Sequence, residues 1–303
     1  MQYVIPNHSR EIRSMKKCVT IILIAVLFGM SACSRSESQI KIKGSDTELS
    51  LVSAFAEAYM KKNSKISISV TGGGSGTGIA ALLNGQIQIA NASRTMKAKE
   101  RKRAKQKGIQ PVWIVIATDG VSIVVNPVNS VSKLTVPQIA SIFKGEIKNW
   151  KEVGGADMEI TCYGRQSNSG TFEFFKKKVL RKRDFSASVR RMNGNAQIVK
   201  SIATDKSAIG YVGIGFVTPA IKVLGVARTK DSTYVAPAGP AIMSGKYPLT
   251  RPLNQYINGK PRGQLLEFLK FCIHSKEAAE LIKKNAFFPV QPEYQKVNSA
   301  AGL

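Results

Sequence analysis

The sequence predicts an α/β fold in which a parallel sheet carries helices on its faces. Two observations carry that prediction. Short alternating or apolar runs of strand length recur along the chain, and each leads into a loop and then into helical periodicity. Repeated strand–loop–helix units pack as parallel sheets covered by helices. A third observation points to chemistry. Three of the loops are rich in glycine or hydroxyl residues and precede a helix, and ligands of such sheets sit beyond the carboxyl ends of the strands.

Residues 1–14 are polar and irregular. Met15-Lys16-Lys17, an apolar run over 18–30 and then Ser31-Ala32-Cys33 follow. A basic start, a short apolar stretch and small residues at the end form a signal segment over residues 1–32. The run is short for a membrane-spanning helix. Met15 is the expected start, with residues 1–14 an upstream extension. Met30-Ser31-Ala32-Cys33 also resembles the lipobox of bacterial lipoproteins. That resemblance implies acylation of Cys33, which would then open the mature chain and hold it on a membrane, with residues 33–39 as a tether. A plain cleaved signal, with Cys33 incidental, is the alternative.

In the body, residues 40–43 alternate as a strand. Gly44-Ser45-Asp46-Thr47 turns into a helix whose apolar stripe is Val52, Phe55, Ala56 and Tyr59. Ile66, Ile68 and Val70 alternate as the next strand. Thr71 to Gly78 form a glycine-rich loop before a helix opening at residues 79–83. Residues 87–90 are strand-like and lead into Asn91-Ala92-Ser93-Arg94. The basic run over residues 97–107 reads as the solvated face of a helix. Residues 112–117 and 121–125 read as two strands flanking Asp119-Gly120. Residues 136–143 are helical, and 160–163 form the strand entering Arg165-Gln166-Ser167-Asn168-Ser169-Gly170-Thr171. Residues 172–180 and 195–203 are helices and 209–212 a buried strand. The Pro- and Gly-rich residues 237–263 read as a return crossing, and residues 265–273 and 276–284 as C-terminal helices. Tyr211, Phe172, Phe174 and Phe175 are expected in the core.

The loop at Arg165 has the makings of an anion trap. The first N–H groups of a helix lack partners and carry the positive end of its dipole. Ser169 and Thr171 add hydroxyls, Gly170 allows close backbone approach, and Arg165 offers a planar fork for two oxygens. Read alone, the same stretch could be an N-cap beside a surface charge. Its companions are Gly44-Ser45-Asp46-Thr47 and Gly74-Ser75-Gly76-Thr77. Three such loops suggest helix N-termini converging on one anion.

Composition narrows the function further. The chain of 303 residues carries 45 Lys+Arg against 19 Asp+Glu, a net charge of +26, so its surface attracts anions. No basic run is interleaved with aromatics, which argues against specific nucleic-acid binding. The body holds Cys162 and Cys272, expected as separate buried thiols, and one histidine, His274, so neither a metal centre nor a histidine-based catalytic site is expected. The glycine-rich loop lacks the lysine of a P-loop and fits neither GxGxxG nor GxSxG.

From residue 40 onward the chain resembles the phosphate-binding proteins of bacterial Pst-type phosphate ABC transporters. The resemblance is carried by Gly44-Ser45-Asp46-Thr47, residues 71–78, Ala92-Ser93-Arg94, Asp119-Gly120-Val121, residues 142–150, and Arg165 with Ser169-Gly170-Thr171. It implies a two-lobe type II periplasmic-binding-protein fold with a two-crossing hinge. One lobe would comprise residues 40–120 and 249–303, the other residues 121–248. It implies a monomer that binds inorganic phosphate, needs no cofactor, catalyses nothing and delivers its load to ABC-transporter permease subunits. The implied ligand residues are Ser45, Asp46, Thr47, Ser75, Ser93, Arg165, Ser169, Gly170 and Thr171. Arg94 joins them as a candidate that would pair with the anion, with Asp46 or with Asp119. The chain departs from one branch of the family, which has an aspartate at the Ser93 position to accept the phosphate proton. Asp46 is the candidate replacement, and Asp119 could instead brace the hinge. Sulfate is the alternative ligand, and a basic envelope adhesin that binds phosphate secondarily is the alternative class. A phosphate-ester hydrolase is disfavoured because no general base or metal ligands are apparent.

Overall fold

Alternation sets the first strand: Ile40 and Ile42 are buried while Lys41 faces solvent, and β1 runs over Ser38–Gly44. The structure, a computed structural model, describes residues 1–2 and 38–303, of which residues 39–303 form one unit. The expected signal segment, the lipobox and Cys33 lie outside the described residues.

After β1 the chain makes α1 (Leu49–Lys62), β2 (Ile66–Thr71), α2 (Ser75–Leu83), β3 (Ile89–Ala92) and α3 (Ala98–Gln106). Leu51, Val52, Phe55, Ala56 and Tyr59 bury the predicted stripe of α1. In α3 only Ala104 is buried, as its solvated character predicts. The next strand differs from expectation. Residues 112–117 and 121–125 are not two strands but parts of one, β4 (Pro111–Val125). Asp119-Gly120 does not turn because neither residue is free to serve a turn. Asp119 is bonded into the interior, and a Cβ on Gly120 would stand 2.6 Å from Ile242 Cδ1, so glycine is there for close packing.

Then follow β5 (Lys133–Thr135), α4 (Val136–Lys144), β6 (Thr161–Arg165), α5 (Gly170–Lys178), β7 (Arg190–Met192), α6 (Asn195–Thr204), β8 (Ala208–Gly213), β9 (Lys222–Val223), β10 (Gly225–Ala227) and α7 (Gly239–Met243). The Pro-rich return contains a central strand, β11 (Thr250–Asn258). Pro252 is tolerated because it falls beyond the end of β3, which pairs with β11 only from Asn254 to Tyr256. The chain ends in α8 (Gly263–His274), α9 (Lys276–Lys284) and α10 (Pro292–Ala300), the last of which the sequence reading omitted.

The main sheet is ordered β2-β1-β3-β11-β4-β8-β6-β7, with β9 beside β4. Strands from the strand–loop–helix units pair in parallel: β1 with β3, and β6 with both β7 and β8. The crossing strands run antiparallel. β4 pairs with β11 from Pro111 to Gly120 and with β8 from Val121 to Val125, so it changes partner at Gly120/Val121. Two hydrophobic cores lie on either side of that change. One gathers Ile42, Phe55, Ile116, Leu253 and Phe268, the other Ile123, Phe143, Trp150, Phe175 and Tyr211. Cys272 is buried in the first and Cys162 in the second, and both thiols are free.

Candidate anion-binding site

The site is assembled from strand ends and helix starts on both sides of the crossing. Asn91 fixes the first loop: its carbonyl accepts the Ser45 N–H at 3.0 Å, and a Cβ on Gly44 would lie 2.1 Å from that oxygen. Gly44 also holds φ +145°, so this turn requires glycine. Ser45, Ser75 and Ser93 are buried together. Ser45 Oγ donates to Ser93 Oγ at 3.0 Å, the Ser93 N–H donates to Ser75 Oγ at 3.1 Å, and the Ser75 and Ser93 oxygens lie 3.5 Å apart. Ser45 directly follows β1 in the turn before α1, Ser75 is the first residue of α2 and Ser93 directly follows β3, so all three lie at strand ends or a helix start.

From the other side comes α5. Ser169 is its N-cap, its oxygen accepting N–H bonds from Thr171 at 3.2 Å and Phe172 at 3.4 Å. The Ser169 O–H remains a donor, so capping and anion binding are compatible in one side chain. Thr171 Oγ1 meets Thr47 Oγ1 at 3.0 Å across the crossing. Gly170 faces the serine cluster: a Cβ there would lie 2.2 Å from Ser75 Oγ and 2.6 Å from Ser93 Oγ. The two sides are also tied by Gly76 N–H donating to Asn168 O at 2.9 Å, Asn168 Nδ2 donating to Gly73 O at 2.9 Å, and a Lys97–Glu173 ion pair at 2.5 Å.

Arg165 brings a buried positive charge from the same side as α5. It lies at the end of β6 and is 1% exposed. Tyr211, stacked on Phe175 with ring centroids 4.1 Å apart, accepts the Arg165 backbone N–H at 3.1 Å. Nη2 of Arg165 donates to Asp46 Oδ2 at 2.5 Å and to the Asn193 carbonyl at 2.8 Å. Its Nε and Nη1 are buried and have no partner. Burial pulls the guanidinium below its ordinary pKa, and the Asp46 charge opposes that pull. Asp46 Oδ1 accepts the Gly73 N–H at 2.9 Å, so both Asp46 oxygens are engaged while each keeps a lone pair.

Arg94, the remaining sequence candidate, is engaged by a carboxylate other than the two expected, with its Nε buried and unpartnered. It forks onto Glu100 at 2.7 and 2.8 Å and donates to the Thr95 carbonyl at 3.0 Å, and pairs with neither Asp46 nor Asp119. The physical reason is proximity: Glu100 sits in the first turn of α3 and offers a bidentate carboxylate six residues away. Bonds from Arg94 and the Lys97 N–H hold the Glu100 carboxyl below the usual range, although burial, the largest influence, pushes the other way.

Two buried charged residues at the crossing were not among the sequence candidates. Arg251 of β11 is 2% exposed, and its Nε and Nη2 grip Asp119 Oδ2 at 2.8 and 2.7 Å. It also donates to Ser93 O at 3.1 Å and Thr171 Oγ1 at 3.1 Å, so it joins the crossing to both walls of the site. Its signal was a lone arginine inside the extended Thr250-Arg251-Pro252. Asp119 therefore braces the crossing, and its Oδ1 accepts the Ile214 N–H at 3.1 Å. Glu48 is the second. It is fully buried beside Ser45, Ala92, Arg251 and Asp119. Burial pushes its carboxyl well above the usual range, outweighing the nearby Arg251 charge. No cluster of metal-ligating side chains occurs among the described residues.

The structure thus supplies three clustered hydroxyls, a capped helix start and a buried arginine with two unpaired donors. Comparisons with known proteins place the chain in a family. The PBP superfamily domain matches residues 31–277. The chain is 31% identical over 264 residues to the phosphate-binding protein PstS of Pseudomonas aeruginosa, covering 82% of this chain and 81% of the relative. It is 32% identical over 256 residues to PstS of Staphylococcus saprophyticus, covering 82% and 80%. Among solved structures it is similar to a putative phosphate ABC transporter substrate-binding protein with bound phosphate from Clostridium perfringens. There the TM-score is 0.75 at 27% identity, over 84% of this chain and all of the other. The chain belongs to the PBP superfamily and, within it, to the Pst-type phosphate-binding proteins, two-lobe solute-binding proteins that are not enzymes.

Proposed function

We propose that this protein captures inorganic phosphate between its two lobes and delivers it to the permease of an ABC transporter from the outer face of a membrane, to which acylated Cys33 anchors it as a monomer. The observation that carries the reading is Arg165, a buried guanidinium paired with Asp46 across the crossing and left with Nε and Nη1 unpartnered. Burying unpaired charged donors is costly unless a ligand completes them. Arg165, Ser45, Ser75, Ser93, Ser169, Thr171 and the backbone N–H groups at Gly170 and Thr47 supply the donors. Asp46 orients Arg165 and offers a lone pair to a ligand that carries a hydroxyl. Monohydrogen phosphate has one and sulfate has none. A site built around a substrate hydroxyl discriminates by about 10⁴–10⁵.

The lobes divide at Gly120/Val121, where β4 changes partner, and again near residues 248–249 on the return into β11. One lobe supplies Ser45, Asp46, Thr47, Ser75 and Ser93, the other Arg165 and Ser169 to Thr171. Phosphate thus favours the closed state by touching both. Lipid anchoring rests on Cys33 and its lipobox-like flank.

Titration calorimetry of the phosphate-stripped body, residues 34–303, tests the reading. One-to-one phosphate binding that sulfate does not displace is the expected result. Equal, weak heats for both anions would overturn it. Radiolabelled palmitate incorporated in the full chain and lost in Cys33→Ser tests the anchor.

A further inference from the structure

A second concave surface lies beside the phosphate site and is far larger than one tetrahedral anion. It is a cleft of about 950 Å³ with walls from both lobes. Lys99 and Arg101 of α3 line one wall, and Lys177, Lys178 and Lys182 line the other. All five are exposed, and among the described residues none has a carboxylate partner within ion-pair distance. The carboxylates nearby are already committed: Glu100 to Arg94, Glu173 to Lys97 and Asp184 to Lys176. Unpaired like charges facing one another repel, so an unneutralised cleft of this kind opposes its own closure.

The backbone at the far wall adds a second observation. Arg181 and Lys182 hold φ values of +51° and +69°, a left-handed conformation that side chains with a Cβ disfavour. The Lys182 N–H donates to Lys176 O at 2.8 Å, which fixes this turn and sets Lys182 in the cleft lining. Glycine would relieve the conformation, yet the sequence places two long cations there.

The aromatic residues in the cleft decide which polyanion fits. Trp113 packs edge-on against Tyr294 and donates its indole N–H to Asn254 at 2.7 Å, while Arg251 covers the Phe174 ring at 5.3 Å. These rings are engaged with one another or with Arg251, which disfavours single-stranded nucleic acid, whose bases need free ring faces to stack on. A linear anion with charge repeated at each phosphoryl unit can touch both walls at once and gains from the second contact being intramolecular.

We infer that this cleft is a binding site for condensed phosphate chains, separate from the orthophosphate site and bridging the two lobes. The inference does not rest on the proposed transport role. The test is calorimetry with tripolyphosphate, using the whole body in saturating orthophosphate so that the inner site cannot report. One tripolyphosphate should bind per chain, and its affinity should fall as salt rises. K177Q/K178Q/K182Q and, separately, K99Q/R101Q should each weaken it by about tenfold or more. K276Q/K283Q/K284Q, which removes three exposed charges from α9, should leave it within about twofold. Thermal melts of each variant confirm folding, since every altered side chain is exposed. No binding to the loaded protein would overturn the inference. So would an equal loss in the α9 variant, which would mean attraction by net charge alone. A loss confined to one wall would overturn the bridging.

Discussion

Replacing Arg165 by alanine probes the reading most directly. Two donors, Nε and Nη1, are buried without partners, and they are the ones assigned to phosphate. A hydrogen bond to a charged group contributes about 1.5–3 kcal/mol, so losing two weakens binding by about 3–6 kcal/mol. That corresponds to roughly 10²- to 10⁴-fold in Kd. Asp46 adds to the loss, because without the Arg165 contact at 2.5 Å its charge faces the incoming anion alone. Asp46→Asn in the Arg165→Ala background should therefore recover part of the affinity. Arg165→Lys keeps the charge but cannot span Asp46, Asn193 and the ligand with one ammonium, so it should fall between wild type and alanine. The apo protein should lose little stability, since alanine also removes two unsatisfied buried donors. Titration calorimetry gives Kd, and paired melts with and without phosphate separate binding from folding. An Arg165→Ala protein that folds and binds phosphate within about threefold of wild type would falsify the assignment.

The remaining predictions concern the parts around that centre. Asp46→Asn should narrow the preference for phosphate over sulfate in competition binding, and unchanged selectivity would take the selectivity role from it. Gly170→Ala drives a methyl group against Ser75 and Ser93; overpacking of that kind costs about 1–3 kcal/mol, so phosphate affinity should drop roughly 5- to 150-fold with a more open solution-scattering profile. Arg251→Ala leaves Asp119 buried and unpaired, which should destabilise the protein by about 3–5 kcal/mol in chemical denaturation; a change under about 1 kcal/mol would mean the crossing needs no brace. Glu48 has its folded pKa raised, so the folded chain holds a proton that the unfolded chain releases. Stability is then greatest below the usual carboxylate range and declines as pH rises towards the raised value. Glu48→Gln should flatten that decline in melts taken across the window, and an unaltered slope would place its cause elsewhere.

The sequence by itself determined the local pieces. Period-two and helical patterning placed β1, α1, β2, α4, α6 and β8, because side chains on a half-buried strand or helix must alternate with its geometry. Glycine and hydroxyl residues before helices marked Ser45, Ser75 and Ser169, because unpaired N–H groups make helix starts anion sites wherever they lie. The structure joins Ser45, Ser75 and Ser93 by hydrogen bonds and sets Gly170, next to Ser169, against them. What only the tertiary structure decided were choices among distant partners. Arg94 and Arg165 were both candidates in sequence, yet Glu100 engages the first while the second pairs with Asp46 across the crossing and keeps two donors unpaired. Asp119-Gly120 read as the break between two strands, whereas Arg251 and Ile242 fill the space beside a continuous β4. Arg251 and Glu48 carried no local pattern at all. Their importance comes from burial and from charges brought together across long sequence separations, and neither property is written in the residues on either side.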